Sequence, residues 1–389
     1  AQKSGEAMPM PAENIAGIIE FYGSIFKVVL EGTDHVTLAV EPSAEACSVT
    51  LGLKPVPDSA MAVVVGKQLG GDLDDMLGYL ENDAMINVAG KVDHENLKET
   101  YTGLLKLLGK IVPGGMSEAD AARLERIITK EVDAMGDSMA FAFGFHGAGS
   151  SAFTGKSVVA VRDQAAYEQV IQEELKLMEE GFLADLYKGL GFEMDVTELN
   201  SNAGTYKGVQ IGSAKVGFRV AGEGKAMAEM SKMLETLFGD GFAQRWAFAK
   251  GNCLFAFGSD ANENIRELID QAGAGGPRQI GSQTKDSLAV LDNADQADVV
   301  GTFNLVRYMQ LVAGFIAATG DVEVPQFDVT TESNVAFAGR TTEAGNAVFQ
   351  IVMPKQHLLE TKSVVENVIK KIEQQVKDKQ KKTARANNI

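Results

Sequence analysis

The sequence is poor in the residues that build metal centres and disulfide frameworks. Its 389 residues include two cysteines, Cys47 and Cys253, and four histidines. Two cysteines exclude a disulfide framework and a cysteine-based zinc cluster, which leaves one bridge or two thiols packed as small apolar side chains in strands. No histidine lies in an H-E-x-x-H pattern. We therefore expect no metal site and no cofactor.

Basic residues and long apolar runs are also scarce. Lys and Arg number 36 against 53 Asp and Glu, which gives a formal net charge of −17. Such a chain repels phosphate backbones and anionic lipid surfaces, so nucleic acid is not an expected partner. No apolar run approaches the roughly 18–20 residues of a membrane-spanning helix, so no transmembrane segment is expected.

What the chain does have is the balance of an ordinary globular protein. It is 45% hydrophobic and 23% charged, and its length allows a substantial core and more than one domain. It begins Ala1-Gln2-Lys3, which is typical of the end left by a signal peptidase, although a trimmed expression product has the same appearance. We expect an exported protein, periplasmic or extracellular.

Several segments repeat one plan, in which two strands joined by a turn are followed by a helix. In residues 35–55 apolar residues alternate with others on both sides of a polar turn cluster, which is typical of a β-hairpin. The same pattern predicts hairpins in residues 139–163, 245–258 and 334–354, and the first of these is followed by a predicted helix over about residues 164–188. A strand followed by a helix is predicted in residues 84–109 and 297–320, and a meander in residues 191–220.

These elements predict an α+β protein in which antiparallel β-sheets built from repeated hairpins pack against long helices. The order hairpin, strand–helix, hairpin occurs twice, which predicts two similar halves, residues 1–190 and residues 191–389, the second with a basic helical tail. After the hairpin at 245–258, Asp260 is predicted to cap a helix, with Glu263 completing a capping box.

The strands around residues 139–145 and 246–257 alternate large side chains with Ala and Gly. A solvated sheet would carry polar residues on its outer face, so we expect these strands to be covered on both faces. An alternative is that the face of small residues lines a groove for an apolar ligand.

Residues 155–157, Gly-Lys-Ser, match the end of a phosphate-binding P-loop. The full motif needs a glycine five positions before Gly155, where Ser150 stands, and a helix directly after Ser157. The residues at 158–161 indicate a strand instead. The segment from His146 to Lys156 is therefore predicted to be a glycine-rich hairpin loop that binds no nucleotide.

Two groups remain as candidate ligand-binding residues. His146 opens a His-Gly-Ala-Gly segment similar to the oxyanion-hole loop of some esterases, but the chain lacks the G-x-S-x-G nucleophile elbow. Met227, Met230 and Met233 form an apolar helix stripe that suits either core packing or a varied ligand. No catalytic residue is predicted.

The run DHVTLAVEPSAEACSVTLGLKPVPDSAMAVVV, followed by YLENDAMINVAGKVD, resembles a pattern in exported bacterial proteins of unknown function with repeated hairpin-helix units. The resemblance implies a periplasmic or surface protein and brings no catalytic residues. The leading hypothesis is an exported, non-enzymatic binding or scaffold protein for an unknown protein or apolar small molecule. The alternatives are a carrier of a lipid-like ligand between helix and sheet, and a hydrolase with its site near the His146 loop.

Overall fold

The computed structural model describes residues 23, 27, 29–67, 69, 72–111, 116–145, 153–189, 192–220, 228, 231–232, 234–235, 239, 241–274, 279–319 and 331–386. Within these residues twelve strands form one antiparallel sheet, and ten α-helices accompany it. The predicted α+β class and the antiparallel pairing are confirmed.

The bounds of the elements follow the predicted hairpins closely. The strands are β1 (Thr33–Pro42), β2 (Ala46–Pro55), β3 (Ile86–Lys91), β4 (Met135–Phe145), β5 (Phe153–Val161), β6 (Phe192–Tyr206), β7 (Val209–Val220), β8 (Phe242–Ala249), β9 (Asn252–Gly258), β10 (Val299–Phe303), β11 (Val335–Thr341) and β12 (Ala347–Pro354). The helices are α1 (Ala60–Val65), α2 (Asp74–Leu77), α3 (His94–Ile111), α4 (Glu118–Ala134), α5 (Gln164–Glu179), α6 (Phe182–Gly189), α7 (Ala261–Gly273), α8 (Ser282–Leu288), α9 (Leu305–Thr319) and α10 (Lys355–Ala386).

The strand order interleaves early and late parts of the chain. It runs β1-β2-β12-β11-β10-β3-β4-β5-β9-β8-β7-β6, so β2 pairs with β12, and β3 to β5 lie between β10 and β9. Strands from before and after residue 190 thus share one sheet. The predicted division into two similar halves, residues 1–190 and 191–389, is not confirmed by this order.

Turn chemistry explains the tight β8–β9 hairpin. Its two turn residues, Lys250 and Gly251, both have positive φ, at 52° and 78°. A two-residue turn of this kind matches the twist of the strands that it joins, and glycine adopts it without strain. The hairpin forms where the alternation predicted it.

Two predicted boundaries are wrong. The helix expected over residues 164–188 is two helices, α5 and α6, because Glu180 is extended and Gly181 has φ 80°. The loop expected from His146 to Lys156 ends earlier, since β5 already begins at Phe153. Gly155 and Lys156 are therefore strand residues, and residues 146–152 lie outside the described part.

Helices cover the central strands on both faces, as the alternation of large and small side chains predicts. On the face that we call the α7 face, α2, α7 and α8 pack on a core that includes Ala140, Val158, Leu254 and Ala256. On the opposite α5 face, α5 packs on a core that includes Val159, Cys253 and Trp246. The alanines let the helices approach the sheet closely.

The two cysteines are free thiols in strands, in line with the simpler of the two sequence interpretations. Cys47 in β2 is half-buried and Cys253 in β9 is buried. Six strands lie between β2 and β9, which corresponds to roughly 30 Å, so the two cannot be bridged.

The C-terminal helix α10 starts directly after β12. The buried Val364 and His357 anchor its first turns, while Leu358, Val365 and Ile369 are exposed. Among the described residues, no helix combines the length and the apolar character needed to cross a bilayer.

Candidate functional site

The candidate residues chosen from the sequence lie where the structure gives no account of them. His146, Met227, Met230 and Met233 are all outside the described residues. The structure instead draws attention to Lys156, the residue that suggested a P-loop. No helix follows Ser157, because β5 continues to Val161, so the rejection of a P-loop is confirmed.

Lys156 lies in the middle of the sheet with alanines on both sides. Its neighbours across the ladder are Ala142 in β4 and Ala256 in β9. Since an alanine side chain ends at Cβ, the two leave room on the α7 face for the long lysine side chain. Only 8% of Lys156 is exposed.

Two carboxylates hold the buried ammonium. Lys156 Nζ donates to Glu81 Oε1 at 2.8 Å and to Glu267 Oε2 at 2.6 Å. Burial alone lowers the pKa of Lys156, but the charge of Glu81 and the hydrogen bonds to both carboxylates outweigh it, so the pKa is raised above its ordinary value. The side chain is therefore a charged anchor and not a nucleophilic amine.

A buried asparagine positions Glu81. Asn87 is fully buried, and its side chain both donates to the Glu81 carbonyl (2.7 Å) and accepts from the Glu81 N–H (2.9 Å). Thr284 Oγ1 donates to the same carbonyl at 3.1 Å. These hydrogen bonds fix the backbone of Glu81 and thereby keep its carboxylate within hydrogen-bonding distance of Lys156 Nζ.

Helix α7 presents a polar stripe to the same space. Residues at positions i, i+3, i+4 and i+7 share one side of a helix, and here these are Asp260, Glu263, Asn264 and Glu267. Asn264 Nδ2 donates to Thr154 Oγ1 in β5 at 2.8 Å, which fastens this stripe to the strand that carries Lys156.

The predicted capping box at the start of α7 is wrong. The helix does begin after Asp260, but the Asp260 side chain makes no capping hydrogen bond, and its φ and ψ are −99° and 19°. The N–H of Glu263 instead donates to the Asp260 carbonyl at 3.0 Å. The carboxylates of Asp260 and Glu263 instead line a cavity, which the sequence pattern did not predict.

This cavity, which we call the Lys156 cavity, has a volume of about 290 Å³. Five carboxylates and one ammonium give its lining a formal charge of −4. Its walls are Glu81, Asp83, Ala84, Ala142, Gly144, Thr154, Gly155, Lys156, Asp260, Glu263, Asn264 and Glu267. The small residues Ala142 and Gly144 do line a cavity, but its charged walls differ from the apolar groove that was the alternative expectation.

The Lys156 cavity has to be interpreted from its own residues. Comparisons with protein-family models, with curated proteins and with solved structures found no match. In the part of the chain that the structure describes, no three His, Cys, Asp or Glu side chains are grouped to hold a metal ion. The carboxylates are spread around the walls, which suits a ligand larger than a bare ion.

Ser333, His357 and Glu360 have the residue types of a hydrolase triad but not its geometry. Ser333 Oγ and Glu360 Oε2 both lie near Nδ1 of His357, at 3.3 and 3.5 Å, whereas a triad places acid and serine on opposite ring nitrogens. Nε2 accepts the N–H of Leu305 at 3.2 Å. The His357 ring is fully buried, and burial lowers its pKa. The hydrogen bond between Leu305 and the ring connects the start of α9 with the start of α10.

A second pair of acids lies between α4 and α5. Burial raises the pKa of Glu174 to about 8, and the charge of Glu131 and a hydrogen bond with it act in the same direction. Burial also raises the pKa of Glu131. Glu174 therefore keeps its proton to a higher pH than an ordinary glutamate does, so this contact between α4 and α5 depends on pH.

Sequence reasoning missed Glu81 and Glu267 because they are 75 and 111 residues away from Lys156. One local signal was present. The pattern D-x-x-E-N-x-x-E from Asp260 to Glu267 places four polar side chains on one helix face next to an apolar face, and nothing in capping chemistry requires the last two.

Proposed function

We propose that the protein is a non-enzymatic binding protein whose ligand is a small organic cation with protonated amino groups. The observation that supports this is the excess of carboxylates in the Lys156 cavity. Low-dielectric walls strengthen the field of such a cluster and raise the local concentration of cations. Phosphates and carboxylic acids are repelled by the same field.

The size and hydrogen-bonding capacity of the cavity narrow the ligand. About 290 Å³ is at the lower end of ligand sites, which suits a compound of diamine size. Ammonium groups donate short, charge-assisted hydrogen bonds to carboxylates such as Glu263 and Asp260. Lys156 uses two of its three protons on Glu81 and Glu267, so the third is available to an oxygen of the ligand.

The same contacts argue against catalysis at this site. A pair of acids that cleaves a glycoside needs the scissile bond between its carboxyls, and here the Lys156 ammonium occupies the space between Glu81 and Glu267. A lysine that forms a Schiff base must lose its proton, and the raised pKa of Lys156 opposes this.

Isothermal titration calorimetry tests the proposal with putrescine, a linear diamine, and with succinate, a dicarboxylate of similar length. We expect saturable binding of putrescine that weakens as salt is raised from 50 to 500 mM, and none of succinate. Glu263→Gln removes one wall charge without touching the Lys156 contacts, and we expect about tenfold weaker binding, or about 1.4 kcal/mol.

The matched control is Glu125→Gln, which removes an exposed charge on α4, on the other side of the sheet. Its affinity for putrescine should equal that of the parent protein. The proposal is contradicted if the Glu263→Gln protein binds putrescine as tightly as the parent protein does. It is also contradicted if neither putrescine nor an amino alcohol such as ethanolamine binds.

The other expectations from the sequence stay predictions. An apolar carrier would depend on Met227, Met230 and Met233, and a hydrolase on His146, all outside the described residues. The periplasmic or extracellular location and the two similar halves also stay predictions. Cell fractionation with antibodies against the chain tests the location directly.

A further inference from the structure

In the part of the chain that the structure describes, β1 leaves one edge of the sheet open. No described strand pairs with the outer side of β1. Its apolar side chains on the α5 face are exposed, Val36 at 54%, Leu38 at 67% and Val40 at 56%. Because backbone groups alternate in direction along a strand, about half of its residues point their N–H and C=O outward.

The opposite edge strand, β6, carries the features that prevent pairing. Its register with β7 shifts twice, between Val196 and Glu198 and between Asn200 and Gly204. Helices α5 and α6 also approach it, and Glu179 accepts the Val196 N–H at 2.8 Å. Bulges and covered backbone groups are the means by which proteins block edge strands.

Among the described residues, the centre of β1 has none of these features. Its one irregularity lies at the start, between Thr33 and His35, and its proline is the last residue, Pro42. The segment 36–41 contains no lysine, no proline and no bulge. The contrast between the two edges indicates that β1 is used for pairing and β6 is not.

We propose that β1 pairs antiparallel with β1 of a second copy of this chain, about a two-fold axis at Leu38. Leu38 then lies opposite the partner's Leu38, and Val36 lies opposite the partner's Val40. His35 lies opposite the partner's Glu41, which is a pairing of a base with an acid. The apolar row also continues into Leu51 and Phe349, which are exposed at 39% and 36%.

The sequence of β1 selects this register. Moving the axis to residue 37 places Asp34 opposite the partner's Val40. Moving it to residue 39 places Val36 opposite the partner's Pro42. With the axis at Leu38, each of the three apolar side chains on the α5 face meets an apolar side chain, and cross-strand apolar pairs stabilise a sheet.

Cysteine crosslinking tests both the dimer and the register. In a Cys47→Ser background, where Cys253 stays buried, Leu38→Cys places two thiols at the two-fold axis, with Cα atoms about 4.5–5.5 Å apart. We expect rapid disulfide-linked dimers under mild oxidation. The matched control, Thr37→Cys, faces the partner's Ala39 and should crosslink at least tenfold more slowly.

Sedimentation of the unmodified chain gives the second readout. We expect a species of twice 41.5 kDa. Glu41→Lys should raise the dimer dissociation constant at least tenfold, and His35→Glu with Glu41→Lys should restore it, because the opposite charges are then exchanged. A monomer at 100 µM, as expected if another partner occupies the edge, overturns the proposal. Equal crosslinking of both cysteine variants also overturns it.

Discussion

Replacing Lys156 by methionine tests whether the ammonium holds the centre of the α7 face together. Methionine keeps most of the apolar volume and removes the charge, so Glu81 and Glu267 are left without their common partner. Breaking a buried ion pair from one side costs about 3–5 kcal/mol. The side chains of Glu81 and Glu267 are 21% and 55% exposed, so water relieves part of this cost, and we expect about 3 kcal/mol.

Urea unfolding at pH 7, followed by circular dichroism, measures this loss. The matched control is Lys130→Met, whose partner Glu173 lies at 2.9 Å but whose side chain is 41% exposed. We expect the control to lose less than about 1 kcal/mol. Adding Glu81→Gln to Lys156→Met removes one of the two stranded charges and should recover part of the loss.

The pH dependence of the loss has a fixed sign. The folded-state pKa of Lys156 is raised, so its contribution is fully present below the unfolded-state value of 10.5 and is lost as pH rises through the folded-state pKa. The gap between parent and Lys156→Met proteins should be constant from pH 7 to 9. Equal losses for Lys156→Met and Lys130→Met would refute the reasoning.

Three further predictions concern the rest of the sheet and its helices. Glu174→Gln should stabilise the protein by about 1–3 kcal/mol at pH 9 and hardly at pH 4. The reason is that the pKa of Glu174 is raised from 4.5 to about 8 in the folded protein, so the parent protein loses stability as pH rises between these two values. Gly258→Ala should lower the free energy of unfolding by more than about 3 kcal/mol, the cost of severe backbone strain plus a clash, because φ of Gly258 is 94° and a Cβ there would lie 1.9 Å from the Phe153 carbonyl oxygen. A thiol reagent should label Cys47 but not Cys253 until urea unfolds the chain, because burial raises the pKa of Cys253.

Both substitutions have a matched control. Glu173→Gln, next to Glu174, removes a salt-bridged acid and should not stabilise at pH 9. Gly251→Ala has φ 78° but open space around its Cβ, so it should cost about 1 kcal/mol from backbone strain alone. Equal costs at Gly258 and Gly251, pH-independent effects at Glu174, or native labelling of Cys253 contradict the respective predictions.

The sequence predicts the hairpins well because each depends on neighbouring residues. Alternation of apolar residues around a turn cluster gives β1–β2, β8–β9 and β11–β12 near their observed bounds. It does not give the order of strands, since the pairing of β2 with β12 depends on which surfaces are complementary across the whole chain.

Gly155 shows why a local interpretation can fail. A glycine-rich stretch predicts a loop, but Gly155 is a strand residue with the Phe257 ring lying over it, and a Cβ there would be 1.9 Å from the Phe257 ring. Glycine is needed for a cross-strand neighbour that the local pattern does not show. Likewise, Asp260 and Glu263 match a capping box, yet they line a cavity completed by residues from β5 and from Glu81.

The pairing of Thr50 with Gln350 joins two strands that lie 300 residues apart in the chain. At a synthesis rate of roughly 5–20 residues per second, the ribosome needs on the order of 15–60 s between them. During that interval the hairpin of β1 and β2 lacks its β12 neighbour, and its valines and leucines stay exposed. Closure of the sheet therefore has to wait until β12 has been synthesised, and the nascent chain needs protection from aggregation until then.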